Sequence, residues 1–336
     1  MRKAAIVGER QAVVVEAPDP RPKEDWALVK VHVAPTCTEY KGFLGGHVSD
    51  WLGHEAVGEV VELAQPGRVQ VGDRVVVQPQ YPCGRCHLCV VGEYIHCEHN
   101  LDPEQFLGSR NGTSTMAQYL VKPSWLLSPI PDEVSYERAS LALCALGPTF
   151  NACQLTQVAA ADTVLITGLG PVGLGGVVNA RFRNARVIGV DLNAWRRGRA
   201  LEMGATAVLD PAEEDLVGRI RALTTRNGVD VAIDTSGDTR AHKLCLDSLR
   251  RKGRFSLVQG FAESPVGLGH FVWSGHALFG AWHYNLGDYP QLMEVIRRSD
   301  LLDLLVSHVF PMSRLQDAFE LQTTGQCAKV LLKPWE

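Results

Sequence analysis

The sequence predicts an α/β protein of two domains, a β-rich one followed by an open, doubly wound parallel sheet. Three observations carry that prediction. A length of 336 residues fits about two domains, each able to bury its own core. Up to about Ser140 the chain reads as short Val-rich segments divided by turns. From about Leu146, apolar strands alternate with helical stretches, the pattern of parallel strands joined by crossover helices.

In the first part, residues 12–16, 27–33, 58–64 and 73–78 are strand candidates bounded by Pro, Gly or Asp. Gln65-Pro66-Gly67 and Val71-Gly72-Asp73 are turn signals between two of them. In the second part a strand at 163–167 meets a Gly-rich turn, then a helical stretch, then a strand at 186–191. Further strands are expected at 229–234 and 253–259. Near the end, 290–298 is helical, with Leu292, Val295 and Ile296 on one face, and 329–332 closes as a strand. Periodicity leaves open which domain this tail joins.

Composition narrows the function. Thirty-three Lys+Arg against 37 Asp+Glu give a net charge of −4, which opposes a protein built to neutralise nucleic-acid phosphates. The basic clusters Arg196, Arg197, Arg199 and Arg250, Arg251, Lys252, Arg254 are short and read as solvated helix ends and loops. The longest apolar run, 164–178, is broken by Thr167, Pro171 and glycines, and falls short of the ~18–20 residues of a spanning helix. The N-terminus runs at once into a strand pattern without a signal peptide's apolar stretch, so a cytoplasmic address is expected. In that setting nine cysteines favour metal ligation over a disulfide framework.

Cys83, Cys86, Cys89 and Cys97 lie in PCGRCHLCVVGEYIHC, and four thiolates so spaced can close a tetrahedral zinc site from one loop. With no vacant ligand position, the expected role is structural. A zinc knuckle for nucleic acid is opposed by its sparse basic company, Arg85 and His87.

Gly168-Leu169-Gly170-Pro171-Val172-Gly173 follows a strand and opens a helix, and Asp191 closes the next strand. Glycines let the backbone approach a pyrophosphate whose charge the helix N-terminus stabilises. A carboxylate at Asp191 accepts bonds from ribose hydroxyls and repels a 2′-phosphate, which favours NAD over NADP. Arg196 pulls the other way, being able to neutralise an extra phosphate. Ser236, in the turn after the 229–234 strand, is a further cofactor candidate by position.

Cys37, His54 and Cys144 also stand out. Two thiolates and an imidazole suit zinc, and three protein ligands leave a fourth position for water or substrate. Spacing alone does not connect them. The order of motifs does: Cys37, then Gly-His-Glu at 53–55, VGDRV at 71–75, the four-cysteine loop and GLGPVGL at 168–174. In that order the chain resembles the zinc-containing medium-chain alcohol dehydrogenase family over essentially its whole length. The resemblance implies a GroES-like catalytic domain at 1–147, a Rossmann NAD-binding domain at 148–285, and a return of 286–336 to the first domain. It implies Cys37, His54 and Cys144 as catalytic zinc ligands, Glu55 as a carboxylate behind them and Val172 as a wedge behind the nicotinamide. A homodimer or homotetramer is implied too.

The chain departs from the family where a Ser or Thr two residues after the first cysteine, then an Asp, usually supply a proton relay and a histidine support. Here the run is Cys37-Thr38-Glu39-Tyr40. Either Thr38 and Glu39 replace that pair in a shortened loop, or Glu39 takes the hydroxyl's place; His47 is a third proton carrier. The expected reaction is hydride transfer between an alcohol and NAD, assisted by one catalytic zinc, with a second zinc structural. Glu39, Tyr40, Lys41 and His47 suit a polyol, sugar or cyclitol, whereas Trp51, Phe150 and Trp282 would line an apolar pocket. The rival readings are an NADPH-dependent reductase of an activated C=C or quinone that keeps only the structural zinc, and a non-enzymatic NAD-sensing or RNA-binding protein.

Overall fold

A computed structural model of the chain describes residues 1–259, 263 and 265–336. Its first strands are β1 (Arg2–Gly8), β2 (Gln11–Glu16), β3 (Trp26–Pro35), β4 (Ala56–Leu63), β5 (Arg74–Val77), β6 (Tyr119–Pro123) and β7 (Leu127–Pro129). They are followed by β8 (Thr163–Thr167), β9 (Arg186–Val190), β10 (Ala207–Leu209), β11 (Val229–Asp234), β12 (Leu249–Leu257) and β13 (Ala277–Gly280). The last two are β14 (Val306–Pro311) and β15 (Lys329–Lys333).

The chain forms two compact units. The first comprises Met1–Cys144, Asn285–Arg297 and Val306–Glu336; the second comprises Ala145–Tyr284 and Arg298–Leu305. In the first unit β1 and β2 pair as a hairpin, and a larger sheet runs β14-β15-β3-β4-β5-β7 with β6 also on β3. The Val-rich segments supply its core: Val29, Val31, Val60, Val75 and Val77 are buried with Phe43, Leu120 and Phe319. β3 and β5 are covered on both faces, since Val33 and Val76 are buried as well, so the sheet does not show a simple core-face and water-face alternation.

The second unit holds a six-stranded sheet, β10-β9-β8-β11-β12-β13, in which every pairing is parallel. β8 and β11 are buried along their whole length, as central strands covered on both faces are, with Asp230 and Asp234 buried among the apolar residues of β11. Strand order reverses at β8, whose last residue, Thr167, is paired with Val190 on one side and Asp234 on the other. The carboxyl ends of β8, β9 and β11 therefore lie side by side, the usual ligand position of this Rossmann-like architecture.

The tail is shared between the units. β15 pairs antiparallel with β3 through Leu331–Pro35 and Leu332–Ala34, returning the chain to the first unit. The short helix Leu302–Leu305 instead belongs to the second, with Leu302 and Leu305 fully buried, so the expected return of 286–336 is not made by the segment whole. Among the described residues no helix is long and apolar enough to cross a membrane.

Candidate metal centres and dinucleotide turn

Cys83, Cys86, Cys89 and Cys97 converge in the first unit. The sulfur separations are 3.5 Å for Cys86–Cys89, 3.9 Å for Cys86–Cys97 and 4.0 Å for Cys83–Cys89. Four sulfurs on tetrahedral zinc at ~2.3 Å stand about 3.8 Å apart, so the loop fits the ion. Backbone N–H groups already point at the sulfurs: Cys86 N to Cys83 Sγ at 3.3 Å, and Cys83 N to Cys97 Sγ at 3.2 Å. Such bonds favour thiolates; at Cys86 they draw the thiol down to about 6, the N–H of Cys89 contributing most.

A second cluster, Cys37, His54, Glu55 and Cys144, lies in the same unit with its ligand atoms all within 4.8 Å of one another. Cys37 follows the end of β3, where Thr36 is fastened to Val330 of β15 by its N–H at 2.9 Å and its hydroxyl at 3.1 Å. His54 and Glu55 immediately precede β4, and Cys144 follows the helix Tyr136–Ser140. His54 Nε2 stands 3.3 Å from Cys144 Sγ, close to the ~3.6 Å that nitrogen and sulfur show on a shared tetrahedral zinc.

Two carboxylates frame these ligands. Glu39 Oε1 lies 3.0 Å from His54 Nδ1, while its Oε2 accepts the Cys37 N–H at 2.7 Å. The Nδ1–H therefore donates to Glu39, and Nε2 is left facing the sulfurs. Glu55, fully buried, accepts the Cys144 N–H at 3.1 Å and pairs with Lys329 Nζ at 2.6 Å. Lys329 comes from β15 and is only 1% exposed. Sequence reasoning missed it, because a lysine opening the strand KVLLK reads as a solvated strand end.

The electrostatics are those of a cation pocket. Burial works against a charge on His54, but its bonds to Cys37 and Glu39 and the nearby carboxylates lift it to about 11. The bond from Cys144 draws the Cys37 thiol well below its usual value, and the same bond holds Cys144 well above it. Burial raises Glu55 to about 7 against the pull of Lys329. Two sulfurs and two carboxylates facing one lysine and one imidazole suit a divalent ion of borderline softness.

Thr38 is exposed at the N-terminus of the helix Glu39–Gly45 and makes no side-chain cap there, and His47 is exposed beyond that helix. Trp51 is half exposed, its Nε1 bonded to Thr113 Oγ1 at 2.8 Å. In the second unit Phe150 is a core residue, 1% exposed and edge-on to Tyr284, while Trp282 is half exposed.

In that second unit β8 runs into Gly168, whose φ of +80° is a left-handed conformation that favours glycine. The helix Pro171–Phe182 then begins with Gly170 as its N-cap and Pro171 in its first turn. Gly173 is buried against the Gly168 carbonyl, where a Cβ has no room. Pro171 and Val172 are half-buried in the first turn. Asp191, just past β9, accepts the Leu169 N–H at 2.5 Å and the Asn193 N–H at 2.7 Å, one on each oxygen. Arg196 Nη1 stands 4.0 Å from the same carboxylate. Ser236 donates to Asp234 at 2.6 Å in the turn after β11. Gly168–Gly173, Asp191, Arg196 and Ser236 thus gather at the carboxyl ends of adjacent strands.

Residues 23–132 match the alcohol dehydrogenase GroES-like domain, and residues 171–298 match the zinc-binding dehydrogenase domain. The chain is 31% identical to a sorbitol dehydrogenase of Bacillus subtilis strain 168, over 99% of this chain and 97% of that one. It is 30% identical to an erythritol/L-threitol dehydrogenase of Mycolicibacterium smegmatis, over 96% and 97% of the two chains. Among solved structures, an alcohol dehydrogenase from Thermus sp. ATN1 superposes with a TM-score of 0.87 at 26% identity, covering 99% of each chain.

Proposed function

Because the chain belongs to the zinc-containing medium-chain alcohol dehydrogenase family it is an oxidoreductase, and we propose that it is an NAD-linked polyol dehydrogenase with one catalytic and one structural zinc. The carrying observation is the Cys37–His54–Cys144 cluster, held between two carboxylates in one unit.

Zinc supplies a Lewis acid that makes an alcohol hydroxyl acidic near neutral pH, and NAD supplies the hydride acceptor. Cys37, His54 and Cys144 would hold the catalytic ion. Glu39 acts through His54, fixing its tautomer and aim. Thr38, exposed next to Cys37, is our choice for passing the substrate proton outward, with His47, exposed beyond the same helix, as the further carrier. Glu55, tied to Lys329, orients the Cys144 backbone. Cys83, Cys86, Cys89 and Cys97 hold the structural zinc.

Gly168, Gly170, Pro171 and Gly173 would receive the dinucleotide pyrophosphate at a helix N-terminus, with Val172 backing the nicotinamide and Ser236 a further cofactor contact. Asp191 keeps acceptor capacity beyond its two backbone bonds, enough for ribose hydroxyls. Its charge opposes a 2′-phosphate, with Arg196 the moderating cation. A polyol substrate is supported by similar dehydrogenases named for sorbitol and for erythritol and threitol, and by the polar run Glu39, Tyr40, Lys41. Assembly as a homodimer or homotetramer is part of the same proposal.

The test combines metal analysis with a substrate panel. The expected result is two zincs per chain and NADH production from a polyol. One zinc per chain with NADPH oxidation by a quinone or activated alkene would replace this proposal with the reductase reading. Turnover of aliphatic or aromatic alcohols alone would overturn the polyol assignment.

A further inference from the structure

Asp234 ends β11 and is fully buried in the second unit. One carboxylate oxygen accepts the Thr167 hydroxyl at 2.6 Å, the Ser236 hydroxyl at 2.6 Å and the Ser236 N–H at 3.2 Å. The other accepts the Gly237 N–H at 2.9 Å and stands 3.0 Å from His242 Nε2, which must therefore donate to it. His242 is 3% exposed, on the helix Thr239–Ser248, with its ring edge-on to Phe255. A buried carboxylate so fully bonded is costly to disturb, and its partners lie on three pieces of chain: the end of β8, the turn after β11 and the helix Thr239–Ser248.

Those pieces adjoin the dinucleotide turn. Thr167 is the last residue of β8, directly before Gly168. Thr235 Oγ1 donates to the Gly168 carbonyl at 2.7 Å, and the Thr235 N–H bonds the Thr167 carbonyl at 2.9 Å. Ser236 packs against Gly168 so closely that a Cβ there would meet its nitrogen at 2.9 Å. The turn after β11 and the turn after β8 are interlocked, and Asp234 bonds both to the first of them and to the strand end, Thr167, from which the second departs.

We propose that Asp234, held by His242, is a positioning residue for the dinucleotide, locking the 235–237 turn against Gly168 so that the Gly168–Gly173 turn keeps its ligand-ready shape. The inference rests on the NAD reading of that turn. Removing the His242 donor leaves a buried anion one partner short beside a site for a pyrophosphate, so the turns must shift to compensate.

The experiment measures NAD binding by calorimetry, and steady-state kinetics, on zinc-loaded protein. His242→Leu is expected to weaken NAD binding and raise its KM about tenfold, with kcat at saturating NAD, alcohol KM and zinc content unchanged within about twofold. His242→Gln, whose amide can donate to the same oxygen, is expected to restore affinity to within about threefold of wild type. Unchanged NAD affinity in folded His242→Leu, or an equal loss in His242→Gln, overturns the inference. Should His242→Leu fail to fold, Thr167→Val deletes one hydroxyl donor to the same carboxylate at near-constant volume; about threefold weaker NAD binding supports the inference and unchanged binding overturns it. A wild-type protein that binds no dinucleotide overturns the NAD reading itself, which a defect confined to the variants does not.

Discussion

Lys329→Met tests whether the buried pair behind the metal cluster holds the first unit together. Lys329 and Glu55 are separated by 2.6 Å and their side chains are 2% and 0% exposed, so neither charge has water to fall back on. Removing one partner of a buried pair costs about 3–5 kcal/mol, mostly as the penalty of the charge left behind. In a unit of this size each kcal/mol shifts the melting temperature by ~2–4 °C, so the loss is on the order of 10 °C. The assay is thermal unfolding followed by circular dichroism, with zinc content measured on the same samples. The double variant Lys329→Met/Glu55→Gln removes the orphaned charge and keeps an acceptor for the Cys144 N–H, so it should recover at least half of the loss. A shift below about 3 °C in the single variant, or a double variant no better than the single, would refute the reasoning.

Four further outcomes are expected. Glu39→Gln loses the anionic partner of His54 Nδ1 and should weaken zinc at the Cys37 site by ~10–100-fold, read by competition with a chelator, while the four-cysteine loop keeps its metal. Asp191→Ala should raise kcat/KM for NADP at least about tenfold and lower it for NAD, because it removes both the repelling charge and the brace on the Leu169 N–H. Lys122, 3% exposed, sits with Nζ 3.9 Å from the Tyr81 ring centroid, and burial draws its ammonium down to about 7. The unfolded chain then binds the extra proton between pH 7 and about 10.5, so stability rises with pH through that window by up to ~1.4 kcal/mol per unit; denaturation curves of Lys122→Met should lack that rise. β13 is an edge strand of the second unit's sheet with Leu278 half exposed; on the proposed assembly of copies through that edge, Leu278→Lys is expected to lower the mass seen by sedimentation, and an unchanged mass refutes that edge as the joint.

What the sequence disclosed follows from how local each feature is. The convergence of the four cysteines was legible because they sit within one short segment and need no tertiary fold to meet. The dinucleotide turn was legible because strand, glycines and helix are contiguous, and Asp191 closes the very next strand. Cys37, His54 and Cys144 are joined only by the path of the first unit, and spacing could not reveal it; motif order did. Glu39 remained ambiguous in sequence because a relay and a brace use the same carboxylate; its 3.0 Å approach to His54 Nδ1 is what supports the proposed brace. Lys329 and His242 gave no signal, since each is an ordinary polar residue until the sheet partner that needs its charge or its N–H is known. The split of the tail turned on Leu302 and Leu305, two leucines whose burial periodicity could not assign to either unit.

Lys329 arrives in the chain only after all of 145–284 has been made, although it completes a cluster whose other members lie before residue 145. During synthesis the Glu55 carboxylate therefore gains its buried counter-charge last, whereas the four cysteines of the 83–97 loop are all in place long before the chain is finished.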